Sequence, residues 1–343
     1  MLNAMAATSG TLRRETVDDY LGPGERRFFG KGYKRAEQRL TDIDLATGPE
    51  GKGFVRARAS VGYPSDWSRK GQQDQAPHLS SIDALLLAGE VADLHLTHTL
   101  RLSPAERSAM RLRRIRIKAG RKPVEDALGD FQVEATITPL AVAAPPAFRV
   151  SAVDCRVGEM RVHCEVEHPE GRQRAAAGFW RHPDELLGPA VTRPYGAAHK
   201  TKSQGLSDLV VDVGRQRADA VFEVQCENPE GIRVHGLETY SQNSASVLDF
   251  FVVAIQLGQI LLYETDQVDR AESNTLWMRQ TVLEIAGPGE VRTGPSPVSA
   301  WLEEAELLTP ADGTTWRTAD IVAESRGMTV RCSVAHRLPG RAS

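Results

Sequence analysis

The sequence predicts an α+β protein made of two fused copies of one unit, each an antiparallel sheet curved around a single apolar helix. Three observations predict it. Short blocks of sequence recur in one order, two segments are too long and too evenly apolar for half-buried strands, and alternating strands follow each of them.

The repeat comes first, because it organises everything else. Asp19-Tyr20-Leu21-Gly22-Pro23 returns as Glu185-Leu186-Leu187-Gly188-Pro189, an offset of 166, and Arg27-Phe28-Phe29-Gly30 returns as Arg193-Pro194-Tyr195-Gly196 at the same offset. Ile82-Asp83-Ala84-Leu85-Leu86 matches Leu248-Asp249-Phe250-Phe251-Val252, again at 166. Ile117 to Gly120 matches Glu284 to Gly287 at 167, and Met160, Val162, Cys164, Val166 and His168 match Met328, Val330, Cys332, Val334 and His336 at 168. Nearly constant offsets in one order place the units at 1–170 and 171–343. The seam lies near 171–181, where Gly, Ala and charge replace apolar periodicity.

Within each unit the elements follow in order. Segments 54–61 and 220–226 read as strands from their β-branched, alternating content. A polar loop precedes 81–96 and 246–263, and a segment apolar on every side reads as a helix buried on every side. Strands are expected at 111–117, 276–285, 131–137 and 299–308, and each unit closes on an alternating strand. Met160, Val162, Cys164 and Val166 face one way there, and Arg161, His163, Glu165 and Glu167 the other. One central helix followed by antiparallel strands is the hot-dog pattern, so a double hot-dog is expected. A single such sheet would leave an edge and half a cleft exposed, which fusion of two copies repairs.

Composition excludes several function classes. The net charge of −3 with 25% charged residues argues against a nucleic-acid binder or a polybasic membrane-surface protein. Cys155, Cys164, Cys226 and Cys332 form no CxxC pair, which fits free thiols in a reducing compartment. Residues 1–15 hold no apolar signal core, and the most apolar run, 247–263, carries Asp249, Gln256 and Gln259 and falls short of the ~20 residues of a membrane helix. A soluble, cytoplasmic chain is expected. No metal or cofactor is expected either. Cys164 and Cys332 share an inward face with Met and Val, Arg331 stands where the first copy has His163, and neither glycine cluster has the context of a phosphate loop.

Chemistry concentrates at the start of the first apolar helix, His78-Leu79-Ser80-Ser81-Ile82-Asp83. An acid there is either a cap for free N–H groups or a functional carboxylate. Both copies have one, Asp83 and Asp249, flanked by apolar side chains that disfavour the charged form. His78 has Ser244 as its counterpart, a divergence expected of an asymmetric site or of drift. The second copy's loop offers Tyr240, Gln242, Asn243 and Ser244 as hydrogen-bonding groups for a substrate, or as an ordinary capping loop. Among the basic residues, mostly read as solvated faces, Arg27 and Lys31 are candidates to clamp a phosphate.

The run Tyr20-Leu21-Gly22-Pro23-Gly24-Glu25-Arg26-Arg27-Phe28-Phe29-Gly30-Lys31-Gly32-Tyr33, with His78 to Asp83 and the overall length, resembles the avirulence protein D family over most of the chain. That resemblance implies formation of syringolide-type acyl-sugar lactones, by joining a β-ketoacyl thioester to a ketose such as xylulose or its phosphate. The A-factor biosynthesis family, likewise read as two hot-dog units, performs a related condensation leading to butenolides. The helix start also resembles polyketide dehydratase domains, but Leu79 replaces the proline of their His-Pro dipeptide and no separate upstream catalytic histidine is found.

The resulting expectation is an acyltransferase. Asp83 would act as general base or orienter, with Asp249 or His78 moving protons and helix N–H groups polarising the thioester carbonyl. The donor would be an acyl carrier protein or coenzyme A thioester and the acceptor a sugar phosphate, in a monomeric pseudo-dimer or a homodimer. The alternatives are an acyl-thioester dehydratase or thioesterase of the same fold, and a non-catalytic acyl- or lactone-binding protein.

Overall fold

Both apolar segments fold as 20-residue helices, α2 (Ser81–Leu100) and α5 (Val247–Asp266). Their ends are specified locally. Ser80 and Asp83 form a reciprocal capping box at the start of α2, as Ser246 and Asp249 do for α5. Arg101 and Gln267 close the helices in the left-handed region at φ 50° and 53°. The computed structural model describes residues 10–48, 51–70, 73–120, 122, 124–172, 177–227, 231–273, 275–286 and 293–339.

The first copy comprises β1 (Thr11–Thr16), α1 (Asp18–Leu21), β2 (Glu37–Thr47), β3 (Gly53–Gly62), the short ladder β4 (Arg69–Lys70) with β5 (Gln73–Asp74), α2, α3 (Pro104–Arg107), β6 (Arg111–Lys118), β7 (Phe131–Leu140), β8 (Phe148–Val157) and β9 (Met160–Pro169). The second runs β10 (Ala177–Trp180), α4 (Asp184–Leu187), β11 (Lys202–Asp212), β12 (Arg217–Cys226), α5, β13 (Leu276–Ile285), β14 (Ser296–Leu308), β15 (Trp316–Ser325) and β16 (Met328–Arg337).

One 14-stranded antiparallel sheet in the order β1-β11-β12-β14-β15-β16-β13-β6-β9-β8-β7-β3-β2-β10 wraps both helices. The copies join where β13 pairs with β6, Thr281 opposite Ile117. Sheet curvature has a visible cause. A bulge interrupts β2 between Thr41 and Asp44 and β11 between Ser207 and Val210, with Asp42 and Asp208 at positive φ. This is the double hot-dog architecture, one curved sheet around a buried helix in each copy.

The sequence reading of 171–181 as a bare seam needs correction. β10 lies inside it and pairs with β2 of the first copy, while β1 pairs with β11 of the second. Each copy therefore lends an N-terminal arm to the other's outer strand, Thr11 meeting Asp212 and Ala177 meeting Ala46. A four-residue strand shows too few alternations to announce itself, and β10 is held instead by the Trp180 ring edge-on to His98 at 4.7 Å. Strands β2, β8, β11 and β15 also escape a reading based on alternation, because bulges or small and polar residues blur their period.

The helices carry buried polar groups that need partners. Arg193 reaches Glu90 of α2 at 2.8 Å, and its counterpart Arg27 reaches Gln256 of α5 at 2.6 Å, so each copy's loop arginine ties down the other copy's helix. Asp93 of α2 is held by Arg107 at 3.1 Å. Among the described residues α5 alone is long and apolar enough to cross a membrane, and it lies buried within the sheet.

Four enclosed histidines have imidazoles that burial keeps neutral, His95 at about 4, His199 at about 3, His336 at about 4 and His168 lowered in the same direction. Their folded values lie below the unfolded ~6.5, so the unfolded chain takes up protons first and stability falls as pH drops below about 6.5, by about 1.4 kcal/mol per unit for each. Glu90 opposes this, since burial pushes its carboxyl up to about 7 and the native state gains that proton as pH falls through 7. Glu238, also raised by burial, acts in the same sense. The net expectation is a loss of roughly 1–3 kcal/mol per unit between pH 6.5 and 5. Urea midpoints across that range test it, and a flat profile would refute it.

Candidate active site

The two helix starts share a frame and differ in one partner. Asp83 is fully buried; its Oδ1 accepts from Gln38 Nε2 at 2.7 Å and its Oδ2 from the Ser80 amide at 2.9 Å. The Tyr63 hydroxyl closes against Oδ2 and lies 2.9 Å from the His78 carbonyl. In the second copy Gln204 Nε2 donates to Asp249 Oδ1 at 2.6 Å, and the ammonium of Lys202 takes the place of the Tyr63 hydroxyl. Lys202 also donates to the carbonyls of Ser241 at 3.0 Å and Ser244 at 2.9 Å.

The expectation that apolar flanks favour the protonated form fails at Asp249. Burial does push its carboxyl up, but the Lys202 ammonium and the hydrogen bonds from Lys202 and Ser246 outweigh burial and hold it below the usual carboxylate range.

A cavity of about 500 Å³ opens beside the first helix start. Ser80 and Ser81 line it, as do the aromatic rings of Phe28, Phe29, Trp67, Trp277 and Trp316. Arg27, Lys70, Lys122, Arg270 and Arg279 supply its charges, and its described lining includes no Asp or Glu. Because the Asp83 and Ala84 amides bond to Ser80, the amides of Ser81 and Ile82 are the donors of this helix end that the cap does not use.

His78 stands at the same wall. Its Nδ1 lies 3.2 Å from the Ala76 carbonyl, and a carbonyl can only accept, so Nδ1 carries the proton. The neutral ring then has its lone pair on Nε2. Trp67 packs edge-on against this ring at 5.5 Å and Trp277 stacks on it at 6.4 Å. The Trp67 indole N–H in turn donates to the Gln75 carbonyl at 2.7 Å, fixing the loop that presents the histidine.

The matching cleft of the second copy is nearly closed, about 30 Å³. Pro194, Tyr195, Ser241 and Ser246 line it, the counterparts at offset 166 of Phe28, Phe29, Gln75 and Ser80. Lys202, where the first copy has Ala36, enters it, and Tyr195 donates at 2.5 Å to the buried Glu238.

Of the residues singled out in the sequence, His78 and Arg27 reach the large cavity. Asp83 and Asp249 do not; each is enclosed by its cap and its glutamine. Lys31 is exposed and paired with Glu25 at 2.6 Å. The second-copy loop is turned inward on itself. Tyr240 donates to Glu238 at 3.1 Å, Gln242 to the Ile232 carbonyl at 3.3 Å, and Ser244 to the Tyr240 carbonyl at 3.4 Å, while Asn243 is exposed. Gln242 lines only the small cleft, and the other three line neither. Sequence reasoning missed Gln38, Tyr63, Trp67, Lys70, Arg270 and Trp277. Only Gln38 left a readable signal, since Gln204 repeats it at offset 166.

Residues 13–339 match the family described as Pseudomonas avirulence D protein (AvrD). None of the curated proteins compared with the chain matches it. Among solved structures, the chain is similar to the tesB protein MAP1729c of Mycobacterium avium subsp. paratuberculosis, with 8% identity over 83% of this chain and 93% of that one at TM-score 0.38. It is similar to acyl-CoA thioesterase II TesB2 of Mycobacterium marinum, with 8% identity, 87% and 96% coverage and TM-score 0.37. The dehydratase domain of RzxB from Pseudomonas fluorescens shows 14% identity, 86% and 97% coverage and TM-score 0.33. With nearly its whole length matched, the chain belongs to the avirulence D protein family.

Proposed function

We propose that this protein is an acyltransferase that joins a β-ketoacyl thioester, carried on acyl carrier protein or coenzyme A, to a hydroxyl of a keto-sugar phosphate such as xylulose 5-phosphate. The observation that carries the reading is His78, a tautomer-fixed imidazole beside the start of α2 in the wall of a large, aromatic-lined cavity. His78 Nε2 takes the proton of the acceptor hydroxyl, whose oxygen attacks the thioester carbonyl. The Ser81 amide, at the cavity wall, and the positive end of α2 stabilise the oxyanion. Collapse of the tetrahedral species expels the thiolate, which takes the proton from His78. The aromatic wall receives the acyl chain. Closure of the β-keto carbon onto the sugar ketone then leads toward a syringolide- or butenolide-type product. Asp83 here keeps only the positioning part of the base-or-orienter role that the sequence suggested, holding the start of α2 through its cap. Asp249, enclosed by Lys202, Gln204 and Ser246, moves no proton, a change from the role suggested for it.

Mass spectrometry of the protein incubated with a β-ketoacyl thioester, with and without xylulose 5-phosphate, tests the proposal. A sugar-dependent adduct with release of thiol is expected. Free acid or loss of water without any need for sugar would move the protein to a thioesterase or dehydratase of the same fold, and unchanged substrates would favour a binding protein.

A further inference from the structure

Three cations meet in the wall of the large cavity. Arg270 Nη2 lies 3.4 Å from the Arg26 carbonyl, which sets Arg270 beside Arg27, and β4 packs on the turn 270–272, which brings Lys70 to Arg270. Arg27 is 4% exposed and Lys70 9%. Arg27 spends one nitrogen on Asp18 and another on Gln256, while its buried Nε has no hydrogen-bond partner among the described residues. The neutral donors Gln75 and Gln259 share the wall. The electrostatic cost shows in the ammonium of Lys70, which burial, with Arg270 nearby, lowers to about 7. Placing like charges together out of water is unfavourable, and a polyanion inserted among them converts that repulsion into attraction.

We infer that Lys70, Arg270 and Arg27 form a subsite for a phosphate ester, and that its occupant is the phosphomonoester of the acceptor. A dianion answers several cations better than the singly charged phosphodiester of a carrier-protein phosphopantetheine does, and the 3′-phosphomonoester of coenzyme A is the competing occupant that the choice of donor tests. The inference deepens the acyltransferase reading and rests on it for the identity of the acceptor. It also moves phosphate recognition away from Lys31, which pairs with Glu25 at the surface.

The test crosses two acceptors with two donors: xylulose against xylulose 5-phosphate, and a coenzyme A thioester against an N-acetylcysteamine thioester, which carries no phosphate. The wild type is expected to prefer the phosphorylated acceptor in kcat/KM by on the order of 100-fold with either donor, as expected when a buried charge loses its partner. Arg270→Met and Lys70→Met should erase that preference, mainly by raising KM for xylulose 5-phosphate, and the ratio between the two acceptors is the quantity read. Inorganic phosphate should raise the melting temperature of the wild type and have no such effect on Arg270→Met, a readout independent of turnover. Equal use of both acceptors with acyl transfer intact would overturn the subsite and leave the function standing. A preference tied to the coenzyme A donor would overturn the assignment to the acceptor. Phosphate stabilisation lost in the variants, with no acyl transfer to any sugar, would keep the anion site and remove the acyltransferase reading.

Discussion

Replacing His78 with Gln is expected to lower kcat by about 10²–10⁴-fold while the melting temperature stays close to that of the wild type. Chemistry is affected because Nδ1 is committed to the Ala76 carbonyl and only Nε2 offers a lone pair to an acceptor hydroxyl. Stability is little affected because the ring is only partly buried, Trp67 keeps its hydrogen bond to the Gln75 carbonyl and Trp277 its pairing with Ala335 in the sheet. Asp83→Asn supplies the contrast. That carboxylate touches no cavity, so its change is expected to cost about 0.5–2 kcal/mol of stability through the weakened cap and to reduce turnover less than His78→Gln does. A folded Asp83→Asn protein as inactive as His78→Gln would return the proton to Asp83, and full activity in His78→Gln would remove His78 from the mechanism.

Lys202→Met is expected to destabilise the protein by about 3–5 kcal/mol at neutral pH, the range for stripping one partner from a buried ion pair. Lys202 and Asp249 are both buried, and the same ammonium ties down the carbonyls of Ser241 and Ser244, so the substitution strands a carboxylate and frees a loop together. The pH dependence carries a sign that separates this from simple loss of packing. In the wild type the folded carboxyl lies below its unfolded value of ~3.9, so the contribution of the pair is fully present above that value and is lost as pH falls through the folded value. Without the ammonium, burial raises the carboxyl instead, and the deficit of the variant should shrink on acidification as Asp249 takes up a proton. Adding Asp249→Asn should recover part of the loss. Denaturant midpoints for the single and double variants at two pH values decide it, and a deficit independent of pH would refute the electrostatic account.

Some of the site was legible in the sequence because its cause is local. Ser80 with Asp83 and Ser246 with Asp249 are capping boxes written within four residues, and His78 stands out because its counterpart is Ser244. Asp83 was legible as a residue and not as a role. Its neighbours in the chain are apolar, whereas its neighbours in space are Gln38, Tyr63 and Ser80. The polar loop from Tyr240 to Ser244 misled for the same reason, since nothing in its composition says that Glu238, Lys202 and nearby carbonyls already occupy its groups.

By itself the sequence determined the repeat, the two buried helices with their caps, most of the strands around them and the histidine at one helix start. All of these follow from periodicity and from contacts within a few residues along the chain. Tertiary structure alone decided that the N-terminal arms are exchanged, that one cleft is open and its twin filled by Lys202, and that Arg27, Lys70 and Arg270 share a wall. These depend on how a curved sheet brings together residues that lie tens to hundreds of positions apart. A lysine in place of Ala36 fills a cleft without altering the periodicity that announces the fold.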